Sequence, residues 1–127
     1  MNTFQNDLIN QGYHIFDKSK VSVQGYYPKE LQRLMKELKQ KDQNIDPKIG
    51  EIYSTRAFFA ISKPIDGECA YQSGYLDVRL LIHEGDNFMG EIQTELPEGF
   101  ALKKGSRIRV RPENLIYKPD YSKIPRQ

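Results

Sequence analysis

The sequence predicts an α+β domain in which N-terminal helices precede a strongly bent five-stranded antiparallel sheet or small β-barrel. Three observations lead there. Apolar residues recur at the three-and-four spacing of a helix before Gly50 and at the two-residue spacing of strands after it. The second half is divided by Gly, Pro, Asn and Asp clusters into short runs, as a meander requires. The 127 residues suit one domain, long enough to bury a core without disulfides or a structural metal.

Thr3 has the chemistry of an N-cap for a short helix carrying Phe4 and Leu8, and Gly12 is its natural stop. "YHIFDKSKVSVQGYY" mixes strand formers with turn residues. Its alternating Val21 and Val23 are too few for a strand, so it reads as an extended connection. Pro28 then suits a helix start, and Leu31, Leu34, Met35 and Leu38 mark one face of a helix over about 28 to 42. Arg33 and Glu37 lie within reach of each other on its polar face.

"EIYSTRAFFAIS" is rich in aromatic and β-branched residues and reads as a long strand, ended by Pro64 and Asp66-Gly67. "GYLDVRLLIH" alternates, with Leu76, Val78, Leu80 and Ile82 on one side. "EGDN" turns the chain, and "FMGEIQTEL" returns as the hairpin partner. "RIRVR" is a further strand, and "NLIY", after Pro112-Glu113, a short last one. The expected core joins Leu76, Val78, Leu80, Ile82, Ile108 and Val110 to Leu31, Leu34 and Leu38 of the helix.

Five short strands covered by one helix favour a barrel of the OB or SH3-like type. The ending "KGSRIRVRPENLIY" resembles the closing strands of TOBE-type small barrels, in which an Arg-Pro-Glu tract follows a short strand. The resemblance covers about a tenth of the chain and implies strand, turn and strand, with no residue role attached. The expected organisation is one domain over residues 1–118, helical over 1–49 and β-rich over 50–118, with 119–127 as a tail.

A mean hydropathy of −0.70 implies much polar surface. No run has the length and apolarity of a membrane span, and "MNTFQNDLINQGYHIF" lacks the basic and apolar regions of a secretory signal. A cytoplasmic protein without membrane contact is the expectation. Cys69 alone makes no intramolecular disulfide, and with only His14 and His83 beside it the usual Cys/His zinc sets are excluded. No metal and no cofactor are expected.

The net charge of +2 conceals segregation: residues 65–100 carry eight carboxylates against Arg79 alone, and residues 101–127 carry eight basic groups against Glu113 and Asp120. Arg107, Arg109 and Arg111 alternate with Ile108 and Val110, so the three guanidinium groups share one strand face. Two readings compete. In the favoured one they meet Asp77, Glu91 and Glu95 of the preceding hairpin as a cross-strand ladder, each pair contributing about 0.2–1 kcal/mol. In the other they grip a phosphate backbone beside aromatic platforms, for which Tyr53, Phe59 and Tyr75 are the exposed-face candidates.

No arrangement of Cys69, His14 and His83 carries a nucleophile signature, because Cys69 sits in "DGECAY", where carboxylates oppose a thiolate. The chain has no glycine-rich phosphate loop, and "EGDN" lacks the spacing of a calcium loop. The tail "YKPDYSKIPRQ" spaces Tyr117, Tyr121 and Ile124 between prolines, which suits an extended segment on a surface or sheet edge. The expected function is a non-catalytic protein-binding or regulatory module, with another protein or a second copy as partner. The candidate binding residues are Arg107, Arg109, Arg111, Tyr53, Tyr75, Tyr117 and Tyr121, and single-stranded nucleic acid is the alternative ligand.

Overall fold

The computed structural model describes residues 3–62, 66 and 68–120. Helix α1 (Thr3–Gln11) buries Phe4 and Leu8. Gly12 ends it with φ 83° while its N–H returns to the Leu8 carbonyl, a left-handed stop that glycine adopts without a Cβ clash. Thr3, expected as the cap, already lies within the helix.

The stretch expected to be a connection contains a strand, β1 (Tyr13–Ile15), paired antiparallel with residues 57–59. Three residues are too few to show a period, and tertiary pairing decides the conformation. The chain then makes short 3₁₀ turns at Lys18–Lys20 and Lys29–Leu31, the second leading into α2 (Gln32–Lys41). Strands β2 (Ile52–Ala60), β3 (Tyr71–Glu84), β4 (Asn87–Ile92) and β5 (Arg107–Val110) follow. The strand order is β1-β2-β3-β4-β5, every neighbour is antiparallel, and the sheet curls into a half-barrel. Between β3 and β4 the two-residue turn Gly85-Asp86 has Gly85 at φ 62°, the first-position glycine of a hairpin turn that matches strand twist.

β2 is covered on both sides. Tyr53, Ala57 and Phe59 point into the half-barrel with Leu76, Val78, Leu80, Phe88, Ile92, Ile108 and Val110. Phe58 points outward into a second cluster with Phe4, Leu8, Phe16, Leu31, Met35 and Leu38. The expected single core is therefore two cores, and the helix leucines pack on the outer side of the sheet, away from Val78 and Leu80. Glu30–Tyr71 and Lys41–Tyr75 hydrogen bonds hold both ends of the α2 segment over β3.

Ile82 also departs from the expected core and is 54% exposed. Pairing with β4 slips between Leu80 and Ile82, so Leu81 is the extra residue of a bulge and the side-chain alternation resets beyond it. The final short strand is replaced by a 3₁₀ turn (Pro112–Asn114) and a single bridge from Tyr117 to Ser54. Ile116 N–H donates to the Ser54 carbonyl, and Ser54 N–H donates to that of Tyr117, so the chain returns from β5 to the edge of β2. Leu115 enters the inner core and Ile116 the outer one. Among the described residues no helix is long and apolar enough to cross a membrane.

Candidate binding site

Among the described residues no strand pairs with the outer edges of the terminal strands β1 and β5, and both strands line one recess of about 330 Å³. Its walls are Tyr13, His14 and Ile15 of β1, Arg109 at the end of β5, and Arg111 and Asn114 just beyond it; Asp7 and Gln11 of α1 form the rim. At one end the gap is stapled. The Arg111 guanidinium donates to the Asp17 carboxylate, and Asn114 Nδ2 donates to the Phe16 carbonyl at 2.9 Å. At the other end Ala101 approaches β1 so closely that a Cβ on Gly12 would lie 2.9 Å from its own Cβ.

Backbone polarity follows from the pairing. Gly12 and Phe16 bond to β2, so by the two-residue period Tyr13 and Ile15 turn their N–H and C=O groups to the gap. The Tyr13 carbonyl accepts from Gln11 Nε2 at 2.9 Å. Ser106 bonds to Ile92 of β4, so Arg107 and Arg109 turn their backbone groups outward in the same way.

Beneath the recess runs a buried polar chain. His14 Nδ1 meets Asp7 Oδ2 at 2.7 Å, His14 Nε2 meets the Tyr27 hydroxyl at 2.8 Å, and Asp17 N–H donates to that hydroxyl at 2.9 Å. The Asp7 carboxylate only accepts, so the hydrogen of a neutral His14 ring sits on Nδ1, and Nε2 then accepts from the Tyr27 hydroxyl. Both ring nitrogens are thereby used inside the fold, and the imidazole presents no free lone pair to the recess. Desolvation first, then the Asp7 charge, pushes the Tyr13 phenol up. Desolvation and then Asp17 and Asp7 do the same for Tyr26, against the lowering effect of Arg111. Both phenols therefore stay neutral hydrogen-bonding groups at the recess. Among the described residues no group of His, Cys, Asp and Glu is arranged to hold a metal ion.

Two of the three arginines pair with carboxylates, and neither of those partners is an expected one. Arg107 stands opposite Glu91, as the ladder requires. Arg109 pairs with Glu84 at 3.3 Å and Arg111 with Asp17, which is 2% exposed. Glu95 instead pairs with Lys104, and Asp77 accepts from the Ser54 hydroxyl. Arg111 left the predicted ladder because the chain turns at Pro112 and carries its side chain over the N-terminal segment, a contact across 94 residues that no local pattern encodes.

Tyr53 and Phe59 are buried, with Tyr53 accepting from Lys48 N–H and Phe59 stacked on Phe100 at 4.7 Å, so neither is an exposed platform. Both point inward because strand parity places them with Ala57 on the concave side. Tyr75 and Tyr117 do come together, with ring centroids 6.0 Å apart. Lys41 and Arg56 lie 4.9 and 4.7 Å from the Tyr75 ring. This pair lies on the outer side of the sheet, apart from the recess. Tyr121 lies outside the described residues. Sequence reasoning missed Tyr13, Ile15, Asp17 and Asn114. Gly12 followed by the alternating "YHIF" was the one available trace of them.

No family model, characterised protein or solved structure matches this chain. Its function is read from its own residues.

Proposed function

We propose that the chain is a non-catalytic protein-binding module on an SH3-like small barrel, taking an extended segment of its partner at the gap between β1 and β5. The observation that carries this reading is that two unpaired strand edges line a common recess within the size range of ligand pockets, ~300–1,000 Å³. Unpaired edge groups are a template for another strand, which supplies main-chain hydrogen bonds while side-chain positions supply selectivity. The SH3-like assignment is supported by the order of parts: a β2–β5 meander, a 3₁₀ turn, and a return to the edge of β2. Arg109 and Arg111 already pair with Glu84 and Asp17, which weakens the field that a polyanion needs.

The test has two arms. Peptides selected by display against the chain are expected to shift the amide resonances of Tyr13, Ile15, Arg107 and Arg109. A fluorescent single-stranded oligonucleotide is expected to bind weakly at low salt. Sub-micromolar oligonucleotide binding that falls with a slope near −0.7 per phosphate contact, and is lost when all three arginines become glutamine in a folded variant, overturns the proposal in favour of nucleic acid. Selected peptides that leave the four amides unmoved overturn the site.

A further inference from the structure

We infer that the segment accepted at this gap is a single strand running antiparallel to both edges, with apolar residues turned inward and acidic residues outward. This rests on the protein-binding reading above.

Direction follows from parity. Each pairing in the sheet is antiparallel, so β1, β3 and β5 all point one way. The two edges at the gap are therefore parallel to each other. Direct closure between them would need a parallel ladder in an otherwise antiparallel sheet. One inserted strand of opposite direction makes antiparallel ladders on both sides and completes a six-membered ring of alternating strands. The outward backbone groups of Tyr13 and Ile15 face one side of that strand, and those of Arg107 and Arg109 the other. The staples at Asp17 and Asn114 bound its amino end, and Gly12 with Ala101 bounds its carboxyl end.

Side-chain chemistry follows from the same alternation. Tyr13 and Ile15 pack toward the inner core together with Ile108 and Val110, so the inserted residues on that side meet apolar neighbours. On the outer side the neighbours are Arg107, which makes no ion pair among the described residues, and Arg109, whose side chain is 65% exposed and pairs with Glu84. Asp7 on the opposite rim is already engaged by His14. A carboxylate placed beside them gains two guanidinium neighbours, whereas a lysine is set against both of those charges.

The probe is the capped pentapeptide acetyl-Val-Glu-Val-Glu-Val-amide, titrated into the isotopically labelled full chain. A nitroxide on its amino end is expected to broaden the amides of Phe16 and Arg111 more strongly than those of Gly12 and Arg107. Replacing both glutamates by lysine is expected to weaken binding at least tenfold. The reverse pattern of broadening, or equal affinity of the lysine peptide, overturns this inference while leaving the protein-binding module standing. Failure of the pentapeptide to bind below about 1 mM, while display-selected peptides of other patterns shift the same four amides, also overturns it alone. If neither kind of peptide touches those amides, the gap is not the site and both readings fall.

Discussion

Gly90 of β4 has no room for even a methyl group. A Cβ built there lies 2.3 Å from Val78 Cγ1 and 3.3 Å from the Arg79 carbonyl, against an optimal carbon separation of about 3.5–4.0 Å. Val78 is fully buried, so it has no open solvent to turn into. Gly90→Ala is therefore expected to carry an overpacking cost of about 1–3 kcal/mol, reduced by the ~0.5–1 kcal/mol that alanine recovers over glycine in a strand. Val78→Ala alone removes two carbons from a closed core and is expected to destabilise by about 2 kcal/mol or somewhat more, from transfer and cavity terms together. In the double variant the new methyl occupies the space that the valine vacates, so the combined loss should fall short of the sum by about 1–2 kcal/mol. Urea midpoints of the four proteins measure this, provided the slopes agree. Additivity within about 0.3–0.5 kcal/mol would show that the two positions do not share that space, and would refute the packing of β4 on β3.

Leu80→Ala should cost about 2–5 kcal/mol and Ile82→Ser stay within about 0.5 kcal/mol, because the bulge separates a buried position from an exposed one; equal losses in chemical denaturation would contradict the bulge. Arg111→Gln should cost about 1.5–3 kcal/mol by removing a charge-assisted partner from buried Asp17, while Arg107→Gln should be within about 0.5 kcal/mol; similar losses at both positions would argue against the staple. Desolvation raises the phenols of Tyr27 and Tyr71, with the Glu30 hydrogen bond adding to the effect at Tyr71. The folded chain then holds protons that the unfolded chain releases above about pH 10, so their stabilisation is complete below that pH and drains away as pH climbs toward the folded values. Denaturation midpoints should decline above about pH 10, less steeply in Tyr71→Phe, and an unchanged slope in that variant would exclude this tyrosine as a source.

Periodicity carried the sheet where β3 and β5 alternate, so that their faces could be assigned, and composition carried β2. It mislaid Ile82 because a bulge is one unpaired residue, which leaves no mark on composition. It also merged two cores into one. A strand buried on both faces, as β2 is through Phe58 and Phe59, has no polar side to tell which layer the helix leucines meet. The arginine row was legible as a set of charges seeking carboxylates. Which carboxylates it found depended on the 3₁₀ turn after β5, and that turn brings Arg111 and Asn114 beside Asp17 and Phe16 through tertiary contact alone.

Those contacts also set a clock. Arg111 and Asn114 lie 94 and 98 residues downstream of the groups that they hold. At synthesis rates of about 5–20 residues per second, the N-terminal strand waits roughly 5–20 s for the side chains that fasten it. Throughout that interval its edge and the aromatic residues beside it are exposed to neighbouring nascent chains, the period in which unpaired strands mispair. Closure of so long a loop also places this fold among those dominated by non-local contacts, which complete late and slowly. The two staples at the mouth of the recess thus belong to the contacts that wait for the end of the chain, and a chain released before residue 114 emerges never acquires them both.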